Sequence, residues 1–321
     1  LNYDHLNDLD TQVQQAVEVV AGRIIHVDGD ILAYNCAGND ETPASVAKSN
    51  LLQRVANLKT LSGSDQIVVH LTSPLSNKGK RFEIAVTQPY QEQRTHSARP
   101  KNWAFLREVL DGYANAGHPE YCTWLDREAD DGMSAKGWEA SRMGTSNLCV
   151  IASHDKDLRQ VPGLYLDWVS GVLKERKHTY DEPVEGVDNK DLFHGVWFLL
   201  YQMIAGDAVD KIPGIVKVSG HWLKDHAPWK VSKKVREGKE DPIAKAAGDA
   251  MAGDCLRTVE PNAPSIGYDV VKEIYEQSFG RGWEVYFKEQ WQLLCLYYYD
   301  NDMRLQLARD IRDGKFDTRN P

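Results

Sequence analysis

Carboxylates dominate the residues of this chain that could do chemistry, and they come in four clusters. Asp28, with Asp30 beside it, ends the run Arg23-Ile-Ile-His-Val-Asp28-Gly-Asp30. Glu128, Asp130 and Asp131 stand together in Glu-Ala-Asp-Asp. Asp155 and Asp157 alternate in Ser153-His-Asp-Lys-Asp157, and Asp207 and Asp210 punctuate Gly206-Asp-Ala-Val-Asp210. Glu128 and Asp131 are three residues apart, as are Asp207 and Asp210, so each pair faces one way from a helical turn. Taken singly, each cluster is what helix N-termini and turns ordinarily carry, acids that satisfy free N–H groups. Taken together they are different. Some eight carboxylates gathered in one place repel one another at a cost that only cations offset. No His or Cys stands in metal-ligand spacing, so an all-oxygen set selects a hard ion, Mg²⁺ or Mn²⁺. Two such ions about 4 Å apart form a clamp for in-line phosphodiester hydrolysis, one activating a water and both steadying the developing charge.

For those acids to meet, the elements that carry them must end at one edge of the fold. Arg23–Asp28, Gln66–Thr72 and Asn147–Ser153 are short Val/Ile/Leu runs that predict buried strands, and Gly163–Trp168 could be a fourth. A helical stretch follows the first strand to about Leu61, where Ser62-Gly-Ser-Asp65 breaks it. Strands alternating with helical segments predict an α/β domain on a mostly parallel central sheet flanked by helices. In such sheets, sites form beyond the carboxyl ends of the strands, where Asp28, Asp155 and Asp157 would converge. From about Val196 the pattern changes to helix, beginning with Trp197–Ile204 and ending in Trp283–Tyr299. Residues 1–22 read as an amphipathic helical lead-in.

The motifs Val27-Asp-Gly-Asp30, Pro89-Tyr90 with Arg94, Glu128-Ala-Asp-Asp131, Ser153-His-Asp-Lys-Asp157 and Gly206-Asp-Ala-Val-Asp-Lys-Ile-Pro-Gly-Ile215, in that order, resemble the flap endonuclease family. The likeness is to the 5′→3′ exonucleases of tailed bacteriophages and the 5′-nuclease domain of bacterial DNA polymerase I. The resemblance implies a PIN-like sheet, with an N-terminal extension over 1–22 and a nuclease core over 23–195. That core would carry an arch or gateway at about 78–117. A helical region over 196–321 would then contain a helix-hairpin-helix-type DNA-binding unit. It implies that Asp28, Glu128, Asp130, Asp131 and Asp155 surround one metal ion, some through water. Asp157, Asp207 and Asp210, with Asp155, would hold the second. Asp30 has no counterpart in the family pattern and reads as a capping acid or one behind the ligands. Tyr34, six residues after Asp28, matches an aromatic that stacks on a base beside the scissile bond; its bland alternative is core packing.

The family arch faces the acidic site with cations that steer the scissile phosphate. Residues 78–107 supply Lys78, Lys80, Arg81, Arg94, Arg99, Lys101 and Arg107 against Glu83 and Glu92. The family pattern has Lys after the Tyr of its Pro-Tyr motif; here Gln91 follows Tyr90, so that aid is lost or passes to Arg94, Lys80 or Arg81. An acid usual after the second strand is here Ser73. The Lys211–Ile215 hairpin would grip duplex DNA through Gly214, Ile215 and Lys217, with K⁺ bound at 211–220. Lys233 and Lys234 belong to a second basic patch, with Lys230, Arg236 and Lys239. The implied partner is DNA with a 5′ end or 5′ flap, duplex joined to single strand, bound by a monomer. The implied setting is phage DNA replication or degradation in the cytoplasm of a bacterial host.

The 321 residues carry 38 Lys+Arg and 47 Asp+Glu, a net charge of −9 that at first argues against a nucleic-acid partner. Setting aside the eight acids Asp28, Glu128, Asp130, Asp131, Asp155, Asp157, Asp207 and Asp210 leaves 39 against 38, a net of −1, so the acidity belongs to the clusters. With 42% hydrophobic and 26% charged residues the composition is that of a folded globular chain. No apolar run approaches the roughly 20 residues of a membrane span. The polar N-terminus does not read as a secretory signal, and five scattered cysteines suggest reduced thiols. Three other readings stay open. A haloacid-dehalogenase-type phosphatase would use Asp28 as nucleophile but leaves Glu128–Asp131 and Ser153–Asp157 unexplained. A DNA-junction-binding homologue with weakened catalysis is suggested by Gln91 and Ser73. A PIN-type ribonuclease shares the acids without the hairpin.

Overall fold

A computed structural model of the chain describes residues 17–92, 99–215 and 249–318. These fall into two compact units, residues 17–80, 99–176 and 299–302 in one and 81–92, 177–215, 249–298 and 303–318 in the other.

The first unit is built on a six-stranded sheet of order β3-β2-β1-β4-β5-β6. Its strands are β1 (Val20–Asp28), β2 (Ser64–Thr72), β3 (Tyr121–Trp124), β4 (Cys149–Ala152), β5 (Gly163–Leu166) and β6 (Leu173–Arg176). The first five pair in parallel and β6 closes the edge antiparallel. Alternation along β1 sends Ile25 and Val27 into an apolar core with Ile67, Val69 and Leu71 of β2. Over that core lie α1 (Gly29–Asn35), α2 (Ala44–Leu61) and α4 (Trp103–Asn115), which contribute Leu32, Leu51, Leu58, Leu106 and Leu110. The opposite face is covered by α5 (Ala129–Arg142), whose small residues let it lie close on β1, β2 and β4. Chain order reverses between β1 and β4, since β2 and β3 build outward on one side and β5 on the other. That reversal opens a crevice at the carboxyl ends of β1 and β4. Gly29 makes the sharp exit from β1 possible: a Cβ there would lie 2.5 Å from Leu71 Cδ2 and 2.8 Å from the His70 carbonyl.

The second unit gathers around α6 (Val196–Ala205), in which nine residues from Val196 to Ile204 are buried. A helix apolar on every side belongs at a centre rather than on a surface. Around it pack α7 (Asp249–Leu256), α8 (Pro264–Phe279) and α9 (Trp283–Leu294), with α10 (Arg304–Arg312) against α8 and α9. Each fully buried Leu or Phe of α6 stabilises by roughly 1.5–3 kcal/mol. Tyr275 and Trp197 spend their polar atoms on the carbonyls of Met203 (2.7 Å) and Pro261 (2.9 Å). Two short strands, β7 (Thr179–Tyr180) and β8 (Phe193–His194), pair antiparallel, and a four-residue helix, α3 (Arg81–Ile84), completes the unit.

Several expected boundaries move. Val20–Gly22 belong to β1 rather than to a helical lead-in, and residues 1–16 lie outside the described residues. The compact units divide at Arg176/Lys177 rather than at 195/196, because β7 and β8 pack on α6. The expected arch at 78–117 is not one piece: 81–92 group with the second unit, while α4 is part of the layer on the sheet. The helix expected over Trp283–Tyr299 ends at Leu294, and Cys295 is extended. Tyr299–Asp302 group with the first unit, where Asp300 meets Arg127 and Lys136.

Candidate metal centre

Asp28 is the last residue of β1 and the N-cap of α1: its Oδ1 accepts the N–H groups of Asp30 (3.0 Å) and Ile31 (3.1 Å). Its Oδ2 accepts the hydroxyl of Ser153, the residue after β4, at 2.9 Å. The same Ser153 oxygen accepts the Asp155 N–H at 2.9 Å, and Asp155 Oδ1 accepts that of Asp157 at 2.8 Å. The ends of β1 and β4 are thus tied through one fully buried serine at the crevice where strand order reverses.

A second linkage brings in α5. Asp30 accepts the Thr72 N–H at 3.2 Å, and the Thr72 hydroxyl accepts that of Ala129 at 2.9 Å, so the end of β2 sits between Asp30 and the start of α5. There Asp131 accepts the Glu128 N–H at 3.2 Å in a capping box, and Asp130 accepts the Asp131 N–H at 2.7 Å. The ordinary capping role of these acids is therefore real, yet it does not exhaust them. One carboxylate oxygen from each of Glu128, Asp130 and Asp131 lies within 4.8 Å of the others.

The electrostatics carry the strain of this gathering. Burial, with the neighbouring Asp30, pushes the Asp28 carboxyl up to about 6. Burial, then Asp157, with Asp28 adding to it, pushes Asp155 up to about 8. Asp30 is also raised by burial, against the pull of Arg107. Cations answer in part: Lys78 lies 3.4 Å from Glu128, Lys156 is 2.9 Å from Asp157, and Arg107 pairs with Asp30 and donates to the Thr72 carbonyl (2.9 Å). An all-carboxylate set in which Asp28 and Asp155 are raised by burial and then by neighbouring acids fits a hard divalent cation.

In the second unit Asp207 and Asp210 are both buried in a tight turn, closed by paired backbone bonds between Asp207 and Ile212 (2.7 and 2.8 Å). Asp207 Oδ1 accepts the Val209 N–H at 2.9 Å. Asp210 is held by the Tyr90 hydroxyl at 3.1 Å and the Gln91 carboxamide at 3.2 Å.

The remaining expected site residues divide sharply. Tyr34 on α1 is 40% exposed, so it is not core packing, and Lys80 is exposed. Arg81 is 1% exposed and gives its guanidinium to the carbonyls of Leu293 (3.2 Å) and Cys295 (3.4 Å), which makes it a structural cation rather than one presented to a phosphate. Tyr90 and Gln91 are likewise buried and act on Asp210 rather than on a surface. Gly214 donates its N–H to Gln290 Oε1 (2.9 Å), its carbonyl accepts the Tyr286 hydroxyl (2.7 Å), and Ile215 is fully buried. Gly214 is required because φ is +59° and a Cβ would sit 2.4 Å from the Gly206 nitrogen. Arg94, Lys217, Lys233 and Lys234 lie outside the described residues, as does the second half, 216–220, of the hairpin expected to bind K⁺. Sequence reasoning missed Ser153 and Thr72 as the linkers; Ser153 stands two residues before Asp155, a spacing that could have signalled it.

No protein-family model matches the chain, and no curated protein matches it. Among solved structures it is similar to a bacteriophage T5 protein co-crystallised with metal ions, at 13% identity and a TM-score of 0.43 over 91% of this chain and 99% of that one. A T5 flap endonuclease variant, described as a pseudo-enzyme-product complex with DNA and metal ions, aligns at 14% identity and a TM-score of 0.43 over 85% and 99% of the two chains. A T5 5′-exonuclease mutant aligns at 14% identity and a TM-score of 0.46 over 91% and 98%.

Proposed function

We propose that this chain is a metal-dependent 5′ nuclease that hydrolyses DNA phosphodiesters, acting on 5′ ends or 5′ flaps where duplex meets single strand. The observation that carries the reading is the joining of three acidic clusters at the β1/β4 crevice, through Ser153 and Thr72. Asp28, Glu128, Asp130, Asp131 and Asp155 would hold one Mg²⁺ or Mn²⁺, with Asp157, Asp207 and Asp210 assigned to a second by their motifs. Bound there, divalent ions would lower the pKa of a water and neutralise charge on a phosphate.

The chain's own residues do the rest. Ser153 and the α1 N–H groups fix the Asp28 carboxylate, and the capping box fixes Glu128 and Asp131. Lys78 and Lys80 supply positive charge for the phosphodiester backbone. The exposed Tyr34 ring offers a surface on which a base could stack. A monomer working in a bacterial cytoplasm is the setting this reading supposes.

The test is hydrolysis of a 5′-labelled flap, a nicked duplex and a single strand, with Mg²⁺ and with chelator. The wild-type chain should release 5′ products only with the metal, and Asp155→Asn should abolish release while its circular dichroism stays native. Full activity in Asp155→Asn would remove the metal assignment. DNA binding without cleavage would favour a junction-binding homologue, and cleavage of a small phosphomonoester alone would favour a phosphatase.

A further inference from the structure

The face of the sheet beneath α5 holds a recess of about 560 Å³ that none of the eight clustered carboxylates lines. A volume of that size is within the range of small-molecule sites, roughly 300–1,000 Å³. Its walls are largely apolar, with Ile24, Val68, Met143 and Leu148 among them, and His26 and His70 are set into its floor. His26 is 6% exposed and His70 is 1% exposed.

The two imidazoles form a directed relay. The Trp124 indole can only donate, and its Nε1–H lies 3.0 Å from His70 Nδ1, so that nitrogen accepts. A neutral His70 then carries its proton on Nε2, which is 2.9 Å from His26 Nδ1. His26 Nδ1 accepts in turn, and the His26 proton is forced onto Nε2. The same two bonds make both rings neutral, because each Nδ1 must stay unprotonated to accept. The relay therefore ends in a single N–H donor on a residue that lines the recess.

We propose that this recess binds an uncharged, largely apolar molecule that presents one hydrogen-bond acceptor, such as a ring carbonyl, to His26 Nε2–H. The absence of ligand charge follows from the lining. Lys136 is committed to Glu139 (3.0 Å) and Asp300 (3.3 Å), and the histidines are neutral.

The test uses acridone, a neutral three-ring ketone, and carbazole, a three-ring molecule with an N–H donor and no carbonyl. Fluorescence titration of the full chain should show acridone binding and carbazole binding at least tenfold weaker. His26→Phe should weaken acridone at least tenfold, and Ala140→Trp, which fills the recess, should abolish it. Nitrogen-15 NMR of the wild-type histidines, which needs no variant to fold, should find both rings neutral with their protons on Nε2. Equal affinity for the two probes, no acridone binding, unchanged binding in Ala140→Trp, or a proton on His70 Nδ1 would each overturn the proposal.

Discussion

Ser153 donates its hydroxyl proton to Asp28 across 2.9 Å, and so joins the carboxyl end of β4 to that of β1. Because Ser153 is fully buried, removing the hydroxyl leaves an Asp28 oxygen without that donor. Ser153→Ala is expected to cost about 1–3 kcal/mol of stability. It should also raise the Mg²⁺ needed for cleavage by about tenfold or more, as outer partners of metal ligands do. Urea unfolding and a Mg²⁺ titration of flap cleavage measure the two effects; an unchanged Mg²⁺ requirement would separate Ser153 from the metal.

The raised carboxyls give the metal-free protein a distinctive pH dependence. Asp28 and Asp155 titrate near 6 and 8 in the fold, against an ordinary value of 3.8. Ionising them is harder folded than unfolded, so this contribution weakens the fold as pH climbs from about 4 through about 8. A divalent ion binds the ionised form, so its stabilisation should grow over the same range. Thermal unfolding with EDTA and with Mg²⁺ at several pH values should show a larger metal-induced gain at high pH. A gain that does not vary with pH would count against carboxylate ligation.

Gln91 holds Asp210 from a left-handed backbone, φ +54°, with its carboxamide 3.2 Å from Oδ1 and 3.0 Å from the Tyr90 hydroxyl. Gln91→Ala loses the hydrogen bonds and keeps the backbone strain, whereas Gln91→Gly loses the bonds and relieves it. The Ala variant should be about 1–2 kcal/mol less stable than wild type. The Gly variant should recover up to about 1 kcal/mol of that. Denaturant midpoints decide; equal midpoints for the two variants would mean the conformation is not strained.

Arg107 fastens α4 to the strand ends by pairing with Asp30 and Asp111 and donating to the Thr72 carbonyl. Arg107→Met keeps most of the apolar stem and deletes the charge. Its expected cost is about 1–3 kcal/mol, moderated because the Asp30 side chain is 34% exposed. Asp30→Asn in the same background should then cost little more, since the pair is already broken. Fully additive losses would show that the two residues act apart.

The strands that carry Asp28 and Ser153 were legible because a central parallel strand is buried on both faces and reads as a continuous Val/Ile run. β3, Tyr121–Trp124, gave no such signal: all four residues are half-buried at the sheet edge. β6, Leu173–Arg176, is an antiparallel edge strand with mostly polar residues and was equally silent. The break between α1 and α2 was missed because residues 36–43 carry no apolar period that could place it.

Residue type and order by themselves determined that the acids stand at element ends and that their oxygens suit a hard cation. Those properties are local, set by strand and helix termini within a few residues. Only the tertiary structure decided which basic and aromatic residues were committed elsewhere. Arg81 is spent on backbone carbonyls more than 200 positions away, and Tyr90 and Gln91 are turned onto Asp210. The His26–His70–Trp124 relay likewise joins three strands whose register no local pattern encodes. A cation or a ring is defined by its sequence letter, but its availability is set by burial and by hydrogen-bond partners brought from distant segments.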